Sequence, residues 1–384
     1  MDKNVKKTES SLEVIEFSKY TKPVVSPSIS TKWTLNGDNN SFFSYVKQCY
    51  EGSVTNQAII NGFVNYIYGE GLISNKEDFN IYKYISKKDL RLMVLDFKTY
   101  GGYGVQVIWN RAEKVEDKKP VLFKYFPIYK VGLNINKKTL QVDGYWYSYD
   151  WAEQSKYRPQ FFQKFDGRYK YDEKEQKGYD VELFIVQRAS SDPFFANPDY
   201  LPGLQYAEVE MELANSSINH IKNGFQATKV INVPFVPETE EAREAMTRKL
   251  KSQTTGTNQT NQALVQFNSK PEQKLTVDSV EITELNQQYV HFDEVSEKKL
   301  IVAHSAPPIL FSGSREGGGL GNNSEEIETA TKMLYRKTIN PMREDFLDGL
   351  EYLFKEIDSD IQLSFKDFEE FNGQDTEIKN EQTI

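Results

Sequence analysis

Cysteine, histidine and long apolar runs are all scarce in this sequence of 384 residues. The single cysteine, Cys49, cannot form an internal disulfide, which is typical of a protein that folds in a reducing cytoplasm. The three histidines, His220, His291 and His304, lack the spacing of a zinc site, so we expect no metal. No segment approaches the roughly 20 apolar residues of a membrane-spanning helix, so we expect no membrane partner.

An excess of positive charge is also absent. Lysine and arginine total 47 against 56 aspartates and glutamates, for a net charge of −9 at pH 7. Proteins that hold nucleic acid tightly carry basic surfaces, because much of the affinity comes from neutralised phosphates. The composition therefore argues against a tight nucleic-acid binder.

Motifs of common enzymes are missing as well. The glycine-rich stretch from Gly313 to Gly319 has no Lys-Ser/Thr after it, so it is not a Walker A loop. It is not a G-x-S-x-G elbow either, because Arg315 occupies the middle position. Acidic pairs such as Glu240-Glu241 and Glu325-Glu326 lie in predicted first turns, where the helix dipole favours negative charge. We therefore predict no catalytic residues and no cofactor.

The first half of the chain changes from polar to helical to β-rich. Residues 1–40 lack a sustained period, which predicts a flexible arm. Apolar stripes predict helices between Ser41 and Leu72 and again from Lys87 to Tyr100. Alternating residues then predict strands at 103–109, 121–128, 142–149 and 181–186, with a further short one at Phe161-Phe162. This region is dense in aromatic residues, which are favoured in strands and are also able to stack on a sugar or a base.

The second half begins with a long predicted helix from about Leu204 to Gly224, ended by Asn223-Gly224. A strand (225–233), a charged helix (Thr239–Lys251), a Thr/Asn/Gln-rich loop (254–262) and two strands (263–267 and 275–282) follow.

The stretch from Leu285 to Phe354 has the most distinctive order. Phe292, Val295, Val302 and Ala306 recur at helical spacing, and Pro307-Pro308 is expected to end that helix. A loop with five glycines follows. A second helix then begins near Asn323, with Glu326 in a capping-box position, and Pro341 predicts a kink inside it.

That order resembles the portal proteins of tailed bacteriophages, specifically the HK97-like group. The similarity lies in a helix running into Ala306-Pro307-Pro308-Ile309-Leu310, a polar loop reaching Asn322-Asn323-Ser324-Glu325 and a helix with Thr338-Ile339-Asn340-Pro341, spread over about 70 residues. A helix ending in Asn223-Gly224-Phe225, then a short apolar strand and a charged helix, is a second similarity.

The resemblance implies an α+β portal fold with a mixed α/β wing, a two-helix stem, a small β-containing clip, a Gly-rich tunnel loop and a long kinked helix. It divides the chain into an N-terminal arm (1–40), a wing (41–236), a first stem helix (237–253), a clip (254–285), a second stem helix (286–306), a Pro-Pro turn and tunnel loop (307–323), a long kinked helix returning to the wing (324–354) and a short crown or flexible tail (355–384).

The implied function is mechanical. A portal is a ring, usually of about twelve subunits, at one capsid vertex of the virion, assembled in the bacterial cytoplasm. Its partners would be further copies of itself, double-stranded DNA that passes without sequence preference, the large terminase, the major capsid and scaffold proteins, and a head-tail adaptor. An acidic channel wall repels phosphates, so the DNA slides through it.

The resemblance also assigns residues. The tunnel loop would be Ser312, Gly313, Ser314, Arg315, Gly317, Gly318, Gly319, Gly321, Asn322 and Asn323. Arg315 is its only cation and the first candidate to touch a phosphate; a salt bridge to Glu316 or a neighbouring stem is the alternative. Lys298 and Lys299 are candidates to face the channel, or else they lie on a solvated helix face. Pro307, Pro308 and Pro341 would shape the turn and the kink.

Two other functions stay open at this point. Another ring protein of virion head completion or connection would share assembly but lack the stem–clip–stem order. A carbohydrate- or nucleotide-active enzyme would use the aromatic β-rich region, with paired carboxylates in a cleft.

Overall fold

A computed structural model of the protein describes residues 27–29, 32–169, 171–172, 177–178, 180–190, 192–222, 229–233, 237, 239–242, 244–246, 263–267, 282–312 and 323–368. This part of the chain is mixed α and β, consistent with the predicted α+β class. Among the described residues, no helix has an apolar stretch long enough to cross a bilayer.

Three helices come first: α1 (Ser41–Gly52), α2 (Val54–Tyr68) and α3 (Lys87–Tyr100). The beginnings of α2 and α3 are set by side-chain caps, because Ser53 accepts the Asn56 amide and Ser86 accepts the Asp89 amide. The apolar stripes of all three helices enter a single core, which includes Phe63 and Phe97. These helices lie where the sequence stripes predicted them.

The later helices are α4 (Leu204–Lys222), α5 (Ile282–Ala303), α6 (Pro308–Phe311), α7 (Asn323–Leu334) and α8 (Asn340–Lys355). Within the predicted charged helix Thr239–Lys251, residues 240–242 and 244–246 are helical.

The strands, in chain order, are β1 (Pro27–Ile29), β2 (Thr34–Asn36), β3 (Gly71–Ser74), β4 (Gly102–Trp109), β5 (Pro120–Phe126), β6 (Val131–Ile135), β7 (Val142–Tyr147), β8 (Gln160–Lys164), β9 (Tyr171–Asp172), β10 (Lys177–Gly178), β11 (Val181–Gln187), β12 (Lys229–Val233), β13 (Ala263–Phe267) and β14 (Leu363–Lys366). Eight of them form one sheet in the order β1-β2-β6-β7-β8-β11-β4-β5. All neighbours in this sheet are antiparallel except β8 and β11.

The N-terminal arm predicted for residues 1–40 is wrong for its last part. β1 pairs with β2 and β2 pairs with β6, so this segment is an edge of the sheet. Asn40 fixes it, because its amide group donates to the Val131 carbonyl (3.1 Å) and its side-chain oxygen accepts the Asn36 amide (2.9 Å). Residues 1–26 lie outside the described part.

The predicted tail at 355–384 is also wrong where the structure describes it. β14 pairs antiparallel with β3, and Ile361, Leu363 and Phe365 are buried. The segment up to residue 368 is therefore attached to the fold, because its four-residue strand pairs with a strand from the first quarter of the chain. Residues 369–384 lie outside the described part.

α8 packs against the eight-stranded sheet. Its Phe346 stacks on Tyr103 of β4 with ring centroids 4.4 Å apart, and the Tyr103 hydroxyl donates to the Phe346 carbonyl (2.7 Å). Gly349 lets α8 approach β11, because a Cβ there would lie 2.4 Å from a Val186 methyl group.

A π-helical turn, Tyr335–Ile339, separates α7 from α8. The Asn340 amide donates to the Tyr335 carbonyl, five residues back, in place of the usual four. Pro341 follows at once and has no amide hydrogen, so a regular α-helical pattern cannot run through this position. The sequence predicted an irregularity at Pro341 but not its π form.

α4 and α5 lie side by side and run antiparallel. Gly203, just before α4, lies against Leu300 and Ala303 near the end of α5, and Phe292 lies beside the middle of α4. Beyond these helices, β12 and β13 form a separate parallel pair. The second strand predicted for this region, Leu275 to Ile282, overlaps α5 at its last residue and otherwise lies outside the described part.

Candidate functional site

The glycine-rich loop lies between α6 and α7, and its interior is outside the described residues. This holds for Gly313, Ser314, Arg315, Gly317, Gly318, Gly319, Gly321 and Asn322. The structure describes its two ends: Ser312 follows α6, and Asn323 is the first residue of α7. The assignments of these loop residues stay predictions.

The N-terminal end of the loop is held in place. The Ser312 hydroxyl donates to Glu297 of α5 (2.8 Å), and its amide donates to the Pro308 carbonyl (2.7 Å). Phe311 stacks on Phe63 of α2 with ring centroids 5.3 Å apart. Gly62 makes room for that ring, because a Cβ there would lie 2.5 Å from it. The loop therefore starts from a fixed position between α2 and α5.

The turn before the two prolines differs from the prediction. α5 ends at Ala303 and not at Ala306. Ser305 has a left-handed φ of 54°, and the Ala306 amide donates to the Ile301 carbonyl (3.0 Å), five residues back. This is the hydrogen bond that closes many helix ends. Pro307 disfavours helical geometry in the residue before it, so the chain leaves the helix ahead of the proline pair. Pro307 is the N-cap residue of α6, which starts at Pro308.

His304, at this turn, connects α5 to the core. It is fully buried and stacks on Tyr200 with ring centroids 4.2 Å apart. The side-chain NH₂ group of Asn56 donates to the Cys49 carbonyl (3.1 Å). The side-chain oxygen of Asn56 therefore faces His304 Nε2 (2.9 Å). Nε2 must therefore carry the proton. Burial, with a contribution from Lys98, lowers the pKa of His304 well below its ordinary value. The ring is neutral and packs as part of the core.

Lys98 and Asp199 form an ion pair beside this histidine. Their charged atoms are 2.8 Å apart, and the Lys98 side chain is 0% exposed. Lys98 Nζ also lies 4.1 Å from the centroid of the Phe63 ring. Burial lowers the pKa of Lys98, and the charge of Asp199 opposes that shift. Arg188 approaches Asp199 at 4.0 Å and pairs with Asp345 of α8 at 3.3 Å. The C-terminal end of α5 therefore lies next to a network of charged side chains that extends to α3 and α8.

The apolar residues that predicted α5 differ in their exposure. Phe292 and Val302 are 49% and 71% exposed, whereas Ala306 is buried. The buried face of this segment contains Ser296, Leu300 and His304. Lys298 and Lys299 are exposed. Periodicity therefore predicted the helix, and part of the predicted apolar stripe lies outside the core of this chain.

A groove of about 610 Å³ runs between α4 and α5. Tyr206, Val209, Leu213 and Phe292 supply apolar lining, and Glu208 and Glu212 add negative charge. Sequence reasoning missed this groove, since it depends on two helices that are far apart along the chain.

The described part of the chain contains one cysteine and no cluster of metal-binding side chains. Cys49 is buried, and burial raises the pKa of its thiol to about 12, so it stays protonated. No group of three or more histidine, cysteine or acidic side chains able to hold a metal occurs among the described residues. The dense aromatic side chains of the sheet largely pack on one another, as Trp146 does on Phe161 (5.3 Å between ring centroids).

The fold of this chain is similar to that of chains in solved structures of known particles. No family profile matches the chain, and no curated protein matches it. Among solved structures, a chain of the "Virion of native gene transfer agent (GTA) particle" is 10% identical, with a TM-score of 0.56 over 92% of this chain and 90% of that chain. A chain of the "Neck of empty GTA particle computed with C6 symmetry" is 11% identical, with a TM-score of 0.53 over 94% and 89%.

A chain of the "Neck of native GTA particle computed with C12 symmetry" is also 11% identical, with a TM-score of 0.50 over 88% of this chain and 87% of that chain. At such low identity the similarity establishes a shared fold. The shared fold extends over about nine-tenths of this chain and of each of the three matched chains.

Proposed function

We propose that this chain is a portal protein, a structural subunit of a phage-like virion that assembles as a ring. The supporting observation is the fold shared along about nine-tenths of both chains with a subunit of a gene transfer agent particle. Two further chains of similar fold come from gene transfer agent necks computed with C6 and C12 symmetry, which favours a cyclic assembly of about twelve copies.

In this proposal the wing is the eight-stranded sheet with α1, α2, α3, α4 and β12, and α7 and α8 return to it. α5 is the second stem helix, and β13 lies in the clip. The glycine-rich loop projects into the channel from a start that Ser312 and Phe311 hold against α5 and α2. Glycines in such a loop permit backbone angles that other residues avoid, which suits a segment in contact with moving DNA.

The other partners follow from the same proposal. Double-stranded DNA passes without sequence readout through a ring of acidic subunits, and Arg315 is the residue we propose to contact phosphate. A large terminase docks on the clip during packaging, capsid or scaffold proteins surround the wing, and a head-tail adaptor joins the ring. The location is then a capsid vertex in the virion. We propose no catalytic role and no cofactor.

The first test is the mass and projection image of the purified protein. A closed ring with a central hole, about twelve times the 44.5 kDa mass of one chain, is expected. A chain that stays monomeric at every concentration would refute the proposal and favour the enzyme alternative. A ring that neither binds a terminase nor passes DNA would favour another connector protein.

The loop can be tested separately. Deleting residues Gly317 to Gly321 should leave the ring intact, because the contacts of Ser312 and Phe311 that hold the start of the loop are kept. It should remove most of the packaged DNA, because in this proposal the loop contacts the DNA. Particle DNA content, compared with ring mass, measures this. Arg315→Ala should also reduce DNA retention, while Arg158→Ala, an exposed arginine distant in sequence, should not. Loss of rings in the deletion variant would instead make the loop a structural element.

A further inference from the structure

Three of the apolar side chains that α4 and α5 expose lie on two surfaces. Val209, Phe292 and Val302 are 36%, 49% and 71% exposed. Val209 and Phe292 line the same groove, and an exposed apolar patch of this kind marks a place where another molecule binds.

The first surface is the groove between α4 and α5. Val209 and Phe292 contribute apolar side chains from opposite helices. Glu208 and Glu212 lie on the α4 side, and Glu208 is oriented by a hydrogen bond from the Tyr45 hydroxyl (3.0 Å). An occupant of this groove should therefore combine an apolar side chain with a positive charge.

The second surface is a ridge on α5 itself. Lys298 and Val302 are four residues apart, so they lie on one face of the helix, and both are exposed. The buried face of Leu300 and His304 points elsewhere, into the core. This face therefore presents the Val302 side chain next to the Lys298 ammonium group. We define it as the Lys298–Val302 ridge.

We propose that the groove of one copy binds the Lys298–Val302 ridge of the next copy. This inference rests on the proposed ring and identifies the surfaces that close it. Val302 lies against Val209 and Phe292, and Lys298 lies beside Glu208 and Glu212. The two surfaces are different patches of one chain, so the contact is head to tail, the kind of interface that generates a cyclic ring.

The test exchanges charges. Glu212→Lys alone and Lys298→Glu alone should each weaken association by about tenfold or more, because like charges then face each other. An equimolar mixture of the two variants should recover rings in which they alternate. One contact in such a ring pairs the two substituted side chains, which carry opposite charges, and the next pairs the unchanged Glu212 with the unchanged Lys298. The double variant should recover rings for the same reason.

Mass photometry over a dilution series measures ring formation, and circular dichroism with thermal unfolding confirms that each variant is folded. Val302→Ser should weaken rings several-fold, whereas Val54→Ser should not, since Val54 is 77% exposed on α2 and outside both surfaces. If wild-type rings form and all variants match them, the groove inference is overturned and the ring stands. If the wild-type chain forms no ring, the proposed function itself fails.

Discussion

Replacing Asp199 with alanine is expected to lower the free energy of unfolding by about 3–5 kcal/mol, because it leaves the buried charge of Lys98 without its counter-ion. Arg188 cannot replace Asp199 as the counter-ion, since it carries the same charge as Lys98. Urea unfolding followed by circular dichroism measures the loss. Lys98→Met is the matched control, because it removes the charge and keeps most of the side-chain volume.

The double variant Lys98→Met/Asp199→Ala should be more stable than Asp199→Ala alone. Recovery in the double variant would show that the loss comes from the unpaired lysine and not from the missing carboxylate. Equal stabilities of Asp199→Ala and the wild type would contradict the assignment of a buried ion pair.

The loss should also depend on pH. Burial lowers the pKa of Lys98, and Asp199 opposes that shift, so without Asp199 the lysine has a still lower pKa. Between that lowered pKa and the ordinary value of 10.5, the unfolded chain binds a proton that the folded chain does not. In this pH range the free energy of unfolding therefore rises with pH. The wild type gains stability in the same way only above its own Lys98 pKa, which is also lowered but less so. The deficit of Asp199→Ala should therefore shrink as the pH rises from the Lys98 pKa of the variant to that of the wild type.

Replacing Arg343 with methionine should lower the free energy of unfolding by about 3 kcal/mol, because one buried and one partly buried carbonyl group lose their donors. Arg343 is only 7% exposed, and it donates to the carbonyls of Tyr66 (2.9 Å) and Ile67 (3.0 Å) at the end of α2. These belong to the last turn of that helix, where the backbone lacks partners of its own. Urea unfolding again measures the loss.

Two controls separate the contribution of these hydrogen bonds to carbonyl groups from that of the Arg343–Asp367 salt bridge. Arg343→Lys should retain part of the stability, since an ammonium group reaches fewer of the acceptors. Asp367→Asn removes the charge that pairs with Arg343, and its effect should be small because the Asp367 side chain is 41% exposed. A large loss in Asp367→Asn, with little in Arg343→Met, would assign the stability to the ion pair instead.

The elements most accurately predicted from sequence are those with local signals. α3 has the predicted bounds, because Ser86 caps its first turn and Gly101, with a φ of 82°, accepts the left-handed conformation that ends it. β4 was predicted by alternation alone. In both cases the deciding residues lie within a few positions of the boundary.

The parts that sequence could not predict depend on distant partners. Nothing near Lys98 indicates that Asp199 will lie 2.8 Å away, so a lysine in a helix is read as a surface residue. β14 has four residues, and its pairing with β3 is visible only in the fold. Phe292 shows a further limit, since helical spacing groups residues on one face without showing what covers that face.

Arg315 and the glycines of the loop are a different case. Their assignment comes from resemblance to a family, and the described structure gives only the two ends of their segment. Ser312 and Phe311 fix the start of the loop, and the position of that start next to α5 is what the structure adds.

The π-helical turn at Tyr335–Ile339 also affects how this chain should be aligned with distant relatives. A π turn takes up one more residue than the α-helix in which it occurs, so the residues before it are offset by one position relative to those after it. A relative with an uninterrupted α-helix here would align correctly only with a one-residue gap between Leu334 and Asn340. Without that gap, either the buried Thr331 and Leu334 or the buried Met342 and Phe346 would be matched to surface positions. At identities near 10%, such an offset is enough to conceal the similarity of either helix.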